Sequence, residues 1–305
     1  MRIVARIADV RAAIAEARGA GRRIALVPTM GALHAGHLSL VNVALRRGAF
    51  AVMSIFVNPL QFGPSEDFSR YPRDADGDSA RARAAGADLL FMPDAAELGM
   101  ADAAVAVTPR IAADRWEGAI RPGHFAGVLT IVAKLFNILR PDMAVFGQKD
   151  VQQATLIGAM IRTLDFPIEL VIAPTVREPD GLAMSSRNVY LSPGDRVEAL
   201  SLSRALGAVN AAWQAGNHDA RALERIGVDI LAGEKGVAPD YFAVVEPRTL
   251  APAISAEPGS IVITAARVGA TRLIDNVILG GSGLGVTAGE PTPSARRPRD
   301  GAERR

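Results

Sequence analysis

Along the first 175 or so positions, short β-branched apolar runs alternate with stretches whose apolar residues recur at helical spacing, the pattern of parallel strands joined by crossover helices. Strands are expected at about 24–27, 51–57, 88–92, 143–147 and 168–172. Asp9 is expected to cap a helix that runs to about Arg18 and is stopped by Gly19 and Gly21. Residues 128–139 are so uniformly apolar that they predict a helix inside the core. After about 177 the order changes, with helical stretches at 195–214 and 220–231 ahead of β-like runs at 241–245, 260–265 and 271–279. The expected fold class is therefore α/β, a Rossmann-like parallel sheet followed by a smaller α+β C-terminal domain. The expected divisions are 1–177, then 178–281 as a smaller lid domain, then 282–305 as a disordered Arg-rich tail.

The polar motifs fall just beyond the strands, where open α/β sheets bind ligands. His34-Ala-Gly-His37 follows the strand at 24–27 through Pro28-Thr-Met-Gly-Ala-Leu33 and holds two of the four histidines in the chain. At a helix start this turn combines free backbone N–H groups with the positive end of the helix dipole, which suits a polyphosphate. An imidazole held cationic by a nearby phosphate could stabilise charge on a departing pyrophosphate. No Gly-x-Gly-x-x-Gly follows the strand, which argues against a redox dinucleotide site. Phe56-Val-Asn-Pro-Leu-Gln-Phe62 offers Asn58 and Gln61, amides suited to a small hydroxy acid. The acid-rich stretch with Glu66, Asp74, Asp76 and Asp78 reads as a solvated surface, and no metal ligand is assigned from it. In Arg121-Pro-Gly-His-Phe125, Arg121 and His124 are candidates to reach an anion.

Phe146-Gly-Gln-Lys-Asp-Val-Gln-Gln153 stands out because Lys134, Lys149 and Lys235 are the only lysines among 34 basic residues. Lys149, past a strand and at a helix start, can meet a phosphate. Asp150 can orient a ribose or a metal-bound water, and Gln153 lies one turn on. The long polar loop from Arg177 to Tyr190 places Ser185, Ser186 and Arg187 in a row, able to close over a triphosphate as a mobile lid.

Composition narrows the classes further. A chain of 305 residues can bury a large core and is expected to form two domains. With no cysteine, disulfides, thiolate catalysis and Cys-ligated zinc are excluded. The N-terminus lacks the apolar run of a signal peptide and nothing approaches the ~18 apolar residues of a membrane span, so a soluble, cytoplasmic protein is expected. The pI of about 9.3 would suggest nucleic acid, but the excess charge is confined to 282–305 and leaves 29 basic and 29 acidic residues in the body. No broad basic face, and hence no nucleic-acid partner, is expected.

The His-x-Gly-His turn paired with Met184-Ser-Ser-Arg187 resembles the two ATP-binding signatures of class I aminoacyl-tRNA synthetases and related nucleotidyltransferases. Together with Phe56–Gly63, Arg121–Phe125, Phe146–Gln153 and Asp180–Asn188, they resemble the pantoate–β-alanine ligase family over about residues 20–281. The resemblance implies ATP-dependent amide formation: pantoate and ATP give pantoyl adenylate and pyrophosphate, and β-alanine then displaces AMP. It implies that Met30, Gly31, Ala32, Leu33, His34, Ala35, Gly36 and His37 cradle ATP, with His37 the catalytic proton donor, His34 its partner on the phosphates, and Lys149 a third catalytic group. Gly147, Gln148, Lys149, Asp150, Val176, Met184, Ser185, Ser186 and Arg187 would complete the nucleotide pocket. Gln61 and Gln153 would hold pantoate from two sides, with Asn58 and Arg121 also at the substrate. A homodimer, Mg²⁺ dependence and a cytoplasmic vitamin pathway come with the same inference. Val151 departs from the family pattern, in which an aromatic residue is expected after Lys-Asp, and this touches only local packing.

Overall fold

The computed structural model describes all residues except 65, 67, 101, 102, 282–285 and 288–305. In chain order the elements are β1 (Arg2–Val4), α1 (Ile7–Gly19), β2 (Ile24–Thr29), α2 (Ala35–Arg46), β3 (Phe50–Ile55), α3 (Ala75–Ala84), β4 (Leu89–Phe91), α4 (Ala95–Leu98), α5 (Glu117–Ile120) and α6 (His124–Leu139). They continue with β5 (Met143–Gly147), α7 (Val151–Thr163), β6 (Glu169–Ala173), β7 (Val176–Arg177), α8 (Pro193–Gln214), α9 (Ala220–Ala232), β8 (Val237–Val245), β9 (Ile261–Val268), β10 (Thr271–Ile278) and β11 (Val286–Thr287).

Six strands form one sheet in the order β1-β4-β3-β2-β5-β6, and every pairing in it is parallel. Strands covered on both faces read as continuous apolar runs, and alternate residues of each run enter different cores. Ile24, Leu26, Val52, Leu89, Phe91, Ala144 and Phe146 pack with α1, α6 and α7 on one face. Ala25, Val27, Ala51, Met53, Leu90, Met143 and Val145 pack with α2 and α3 on the other. The strand order reverses between β2 and β5, so their carboxyl ends open a crevice at the switch point. The two loops leaving that crevice are 30–34 and 147–150.

The second sheet, β10-β9-β8, is antiparallel. Phe242, Val244, Val262 and Ala266 pack against α8 and α9, whereas Ala243, Val245, Ile261 and Ile263 join the α1–α6–α7 core. The smaller sheet is thus seated on the larger unit through its second face.

Several expectations need correction. Helix α1 begins at Ile7 with Arg6 at its N-cap, and Asp9 sits inside the first turn; Glu97 Oε1 accepts from the Ile7 N–H at 2.6 Å, taking over the capping work. The apolar helix starts at His124 instead of 128, because Gly123 adopts a left-handed conformation (φ 83°) that turns the Arg121-Pro-Gly-His motif directly into it. The edge strand β1 carries too few residues for a period-2 signal and exists through pairing with β4. Of the acidic stretch, Asp76 and Asp78 lie in helix α3, which Asp74 caps, while Glu66 precedes it. Of the expected tail 282–305, only β11 lies within the described residues, where it pairs in parallel with β7; the rest lies outside them.

Candidate active site

Leaving β2, the chain must turn sharply to present the N-terminus of α2 to the crevice. Gly31 has φ 87°, and a Cβ there would lie 2.9 Å from Asp78 Oδ2. Ala32 follows with φ 50°, a conformation that costs a non-glycine residue of order 1 kcal/mol. Asp78 holds it there: its carboxylate accepts from the Ala32 and Leu33 N–H groups, each at 2.8 Å, and Arg81 bridges it from solvent at 3.3 Å. Asp78 is 2% exposed, so the reading of this acidic stretch as wholly solvated is overturned. A period-based reading had no means of finding it, because its partners are backbone groups 45 and 46 residues away.

The histidines form a reciprocal cap on α2. His34 Nδ1 accepts from the Gly36 N–H at 3.2 Å, and His37 Nδ1 accepts from the His34 N–H at 3.4 Å, with the rings stacked 4.0 Å apart. Acceptance at Nδ1 leaves the proton of each neutral ring on Nε2. Burial, then His37 and Lys149, lower His34 to about 3; burial, then Lys149, lower His37 to about 4. In the free protein both rings are neutral Nε2–H donors rather than cations.

A cavity of about 230 Å³ at the crevice brings together Met30, His34, Gly36, His37, Gln61, Arg121, Gly147, Lys149, Asp150, Gln153, Val176, Met184, Ser185, Ser186 and Arg187. A wider cleft of about 690 Å³ adjoins it, sharing Arg121, Lys149, Asp150, Gln153, Ser185 and Arg187 and running out to Arg272 and Asn276 of β10. Lys149 Nζ lies 3.7 Å from Asp150 Oδ1. Ser185 Oγ caps the turn that follows by accepting from the Arg187 N–H at 3.2 Å.

Other expected residues stand elsewhere. Gly31, Ala32, Leu33 and Ala35 shape the turn without lining either cavity. Gln148 is buried and donates Nε2–H to Asn276 Oδ1 at 3.2 Å. Asn58, 1% exposed, also lines neither cavity. Its amide donates to Gly127 O at 3.0 Å and to Gln61 Oε1 at 3.3 Å, which makes it a support for Gln61. Arg121 reaches both cavities but is engaged: it forks onto Glu66 at 2.9 and 2.6 Å and donates to Gln61 O at 3.2 Å. Burial pushes the Glu66 carboxyl up, but its bonds to Arg121 outweigh this and hold it below its ordinary value. His124 donates Nδ1–H to the same Gln61 carbonyl at 2.8 Å and accepts at Nε2 from Arg121 at 3.1 Å. The Gln61 side chain itself donates to Met30 Sδ.

A parallel sheet whose switch-point crevice carries a His-x-Gly-His helix start facing a Met-Ser-Ser-Arg loop defines the class, an α/β enzyme of the HxGH nucleotidyltransferase type. Residues 2–278 match the family Pantoate-beta-alanine ligase. Pantothenate synthetase of Desulfitobacterium hafniense is 49% identical over 281 residues, covering 92% of this chain and all of the relative. That of Anaeromyxobacter dehalogenans is 53% identical over 267 residues, 85% of this chain and 92% of its own. Among solved structures, pantothenate synthetase from Thermus thermophilus superposes with a TM-score of 0.86 at 46% identity, covering 91% of this chain and 99% of that one. The Francisella tularensis pantoate–β-alanine ligase, complexed with beta-gamma ATP and β-alanine, superposes with a TM-score of 0.73 at 29% identity, covering 91% and 97%. The chain belongs to the pantoate–β-alanine ligase family, and it is an enzyme that joins pantoate to β-alanine.

Proposed function

We propose that the chain makes pantothenate in two steps at the crevice, with ATP as the activating substrate and pantoyl adenylate as the bound intermediate. One observation carries this reading: Lys149, both histidine rings and Ser185–Arg187 line one cavity that also receives Gln61 and Gln153. A carboxylate is already a nucleophile at neutral pH, so attack on the α-phosphorus requires alignment and charge neutralisation and no general base. Lys149 and Arg187 supply fixed positive charge to the phosphates. The Nε2–H groups of His34 and His37 and the hydroxyls of Ser185 and Ser186 supply hydrogen bonds that strengthen as charge builds on the leaving pyrophosphate. Gln61 and Gln153 hold the hydroxyl and carboxylate of pantoate from opposite walls, while Gly147, Asp150, Val176 and Met184 receive the nucleoside. In the second step the neutral amine of β-alanine attacks the mixed anhydride and AMP leaves. The loop from 177 to 190, closing over the cleft with the 178–281 unit as a lid, excludes water from that anhydride.

Mg²⁺ fits this arrangement as a companion of the triphosphate. Among the described residues no group of three or more His, Asp or Glu could cage a metal, whereas Mg²⁺ commonly needs only one or two carboxylates besides phosphate oxygens and water. Asp150, half exposed and lining both cavities, is the carboxylate placed for that role. When bound, the ion neutralises phosphate charge. A homodimer and a cytoplasmic location complete the proposal on the family resemblance, and among the described residues no helix is long and apolar enough to cross a membrane.

The test is pyrophosphate exchange into ATP, measured with pantoate and without β-alanine. The purified chain should catalyse it, and H37A and K149A should each reduce it at least tenfold with unfolding midpoints near that of the parent. Exchange that requires β-alanine, or that survives both substitutions, would contradict the two-step assignment.

A further inference from the structure

The neighbours Asp275 and Asn276 on β10 lie in the C-terminal sheet, yet each fastens a different wall of the nucleotide cavity. Asn276 is 1% exposed. Its Nδ2 donates to the carbonyls of Gln148 at 3.0 Å and Lys149 at 2.8 Å, and its Oδ1 accepts from Gln148 Nε2 at 3.2 Å. The amide is therefore saturated on the loop that carries Lys149. Asp275, 4% exposed, takes both arms of the Arg177 guanidinium at 2.6 and 2.9 Å and also accepts from the Asn276 N–H at 2.8 Å. Arg177 in turn donates to Gly181 O at 3.1 Å and bridges Ala183, while the Met184 N–H bonds Val176 O at 2.9 Å. Through these bonds one dipeptide is tied on one side to Lys149 and on the other to the segment leading into Ser185–Arg187.

We infer that Asp275 and Asn276 are positioning residues for the activation step: β10 sets the spacing across the cavity between Lys149 and the Ser185–Arg187 loop. Neither side chain need touch the reacting atoms. Lys149 carries its charge at the end of a flexible stem, so a strut on its own carbonyl sets the point from which its ammonium reaches into the cavity. A misplaced charge loses most of its value in the transition state, where alignment within fractions of an ångström matters. The inference rests on the proposed role of Lys149 at the phosphates.

The experiment is a double-mutant cycle on the full chain with Asn276→Ala and Lys149→Ala, read as pyrophosphate exchange at saturating pantoate with ATP varied. N276A should lower exchange at least tenfold, chiefly in its maximal rate and much less in the KM for ATP. The K149A/N276A double variant should lie within about threefold of K149A alone, because the strut acts through the lysine. Multiplicative effects, or an N276A enzyme with unaltered exchange, would overturn the inference and leave the role of Lys149 standing. A K149A enzyme with parental exchange would instead sink that role, and the inference with it. If N276A does not fold, the cycle is run with N276S, whose shorter side chain cannot bridge two carbonyls. Attack of β-alanine on pre-formed pantoyl adenylate is the internal control: it should change less than threefold in N276A, and an equal loss in both half-reactions would mark a merely structural residue.

Discussion

Buried carboxylates are costly unless their oxygens are taken up, and Asp78 meets that condition through the Ala32 and Leu33 N–H groups and Arg81. His124 is held in the same spirit, donating to Gln61 O and accepting from Arg121. Protonation would place a second donor against a guanidinium. Burial, then Arg121, lower His124 to about 4 from the ordinary 6.5. The unfolded chain therefore binds this proton more readily than the folded one between those pH values. The stability His124 confers is complete above about pH 6.5 and is lost as pH falls through 4, a total of ~3 kcal/mol from this group. His34 and His37 act with the same sign. In denaturant titrations H124N should be the less stable protein at about pH 7 but should lose stability less steeply than the parent from pH 6.5 to 4. Parallel pH profiles would remove the assignment.

At the level of elements, the helix–turn contact that presents Gln61 depends on one missing side chain. A Cβ at Gly127 of α6 would lie 2.2 Å from Leu60 O and 2.7 Å from Gln61 N, so backbone meets backbone here with no room for a methyl group. Asn58 then bonds Gly127 O across the same contact. G127A should push the turn Pro59–Gln61 off the helix, costing about 1–3 kcal/mol of stability. Steady-state kinetics should record a loss of at least tenfold in kcat/KM for pantoate; parental kinetics with parental stability would show that Gln61 is positioned some other way. The sequence offered an Asn-Pro turn and an apolar helix expected only from 128, just past Gly127. Their contact joins segments more than 60 residues apart and had no local signature.

At the scale of the whole molecule, the small sheet is secured to the large one by apolar packing and by a cluster around Glu117. Its carboxylate accepts from Arg272 at 2.8 and 2.6 Å and from the Tyr241 hydroxyl at 2.9 Å, and Trp116 Nε1 donates to Leu250 O at 2.8 Å. Arg272 is bound as well to Asp240 at 2.6 Å, and burial together with Glu117 keeps the Tyr241 phenol protonated far above its usual range. Removing one member of a largely buried pair leaves the other charge without its partner. R272M should destabilise the fold by ~3 kcal/mol in chemical denaturation, and E117Q/R272M should be destabilised by less than R272M. If the double variant is the weaker of the two, Glu117 and Arg272 are not coupled in this way.

What the sequence determined by itself was whatever is written in neighbouring residues. Largely apolar runs of four to seven residues marked the central strands of the parallel sheet, because both faces of such strands are covered. Residue types unusual for this chain, paired histidines and a rare lysine, marked the turns beyond them, and their motifs carried the family. Tertiary structure decided what those residues rest on. Asp78 lies under the first turn, Asn58 behind Gln61, Asp275 and Asn276 behind Lys149 and Ser185–Arg187, and burial keeps the two histidines neutral in the free protein. Each of these depends on burial and on hydrogen bonds to backbone groups remote in sequence, and a carbonyl or N–H group has no identity that a sequence can record.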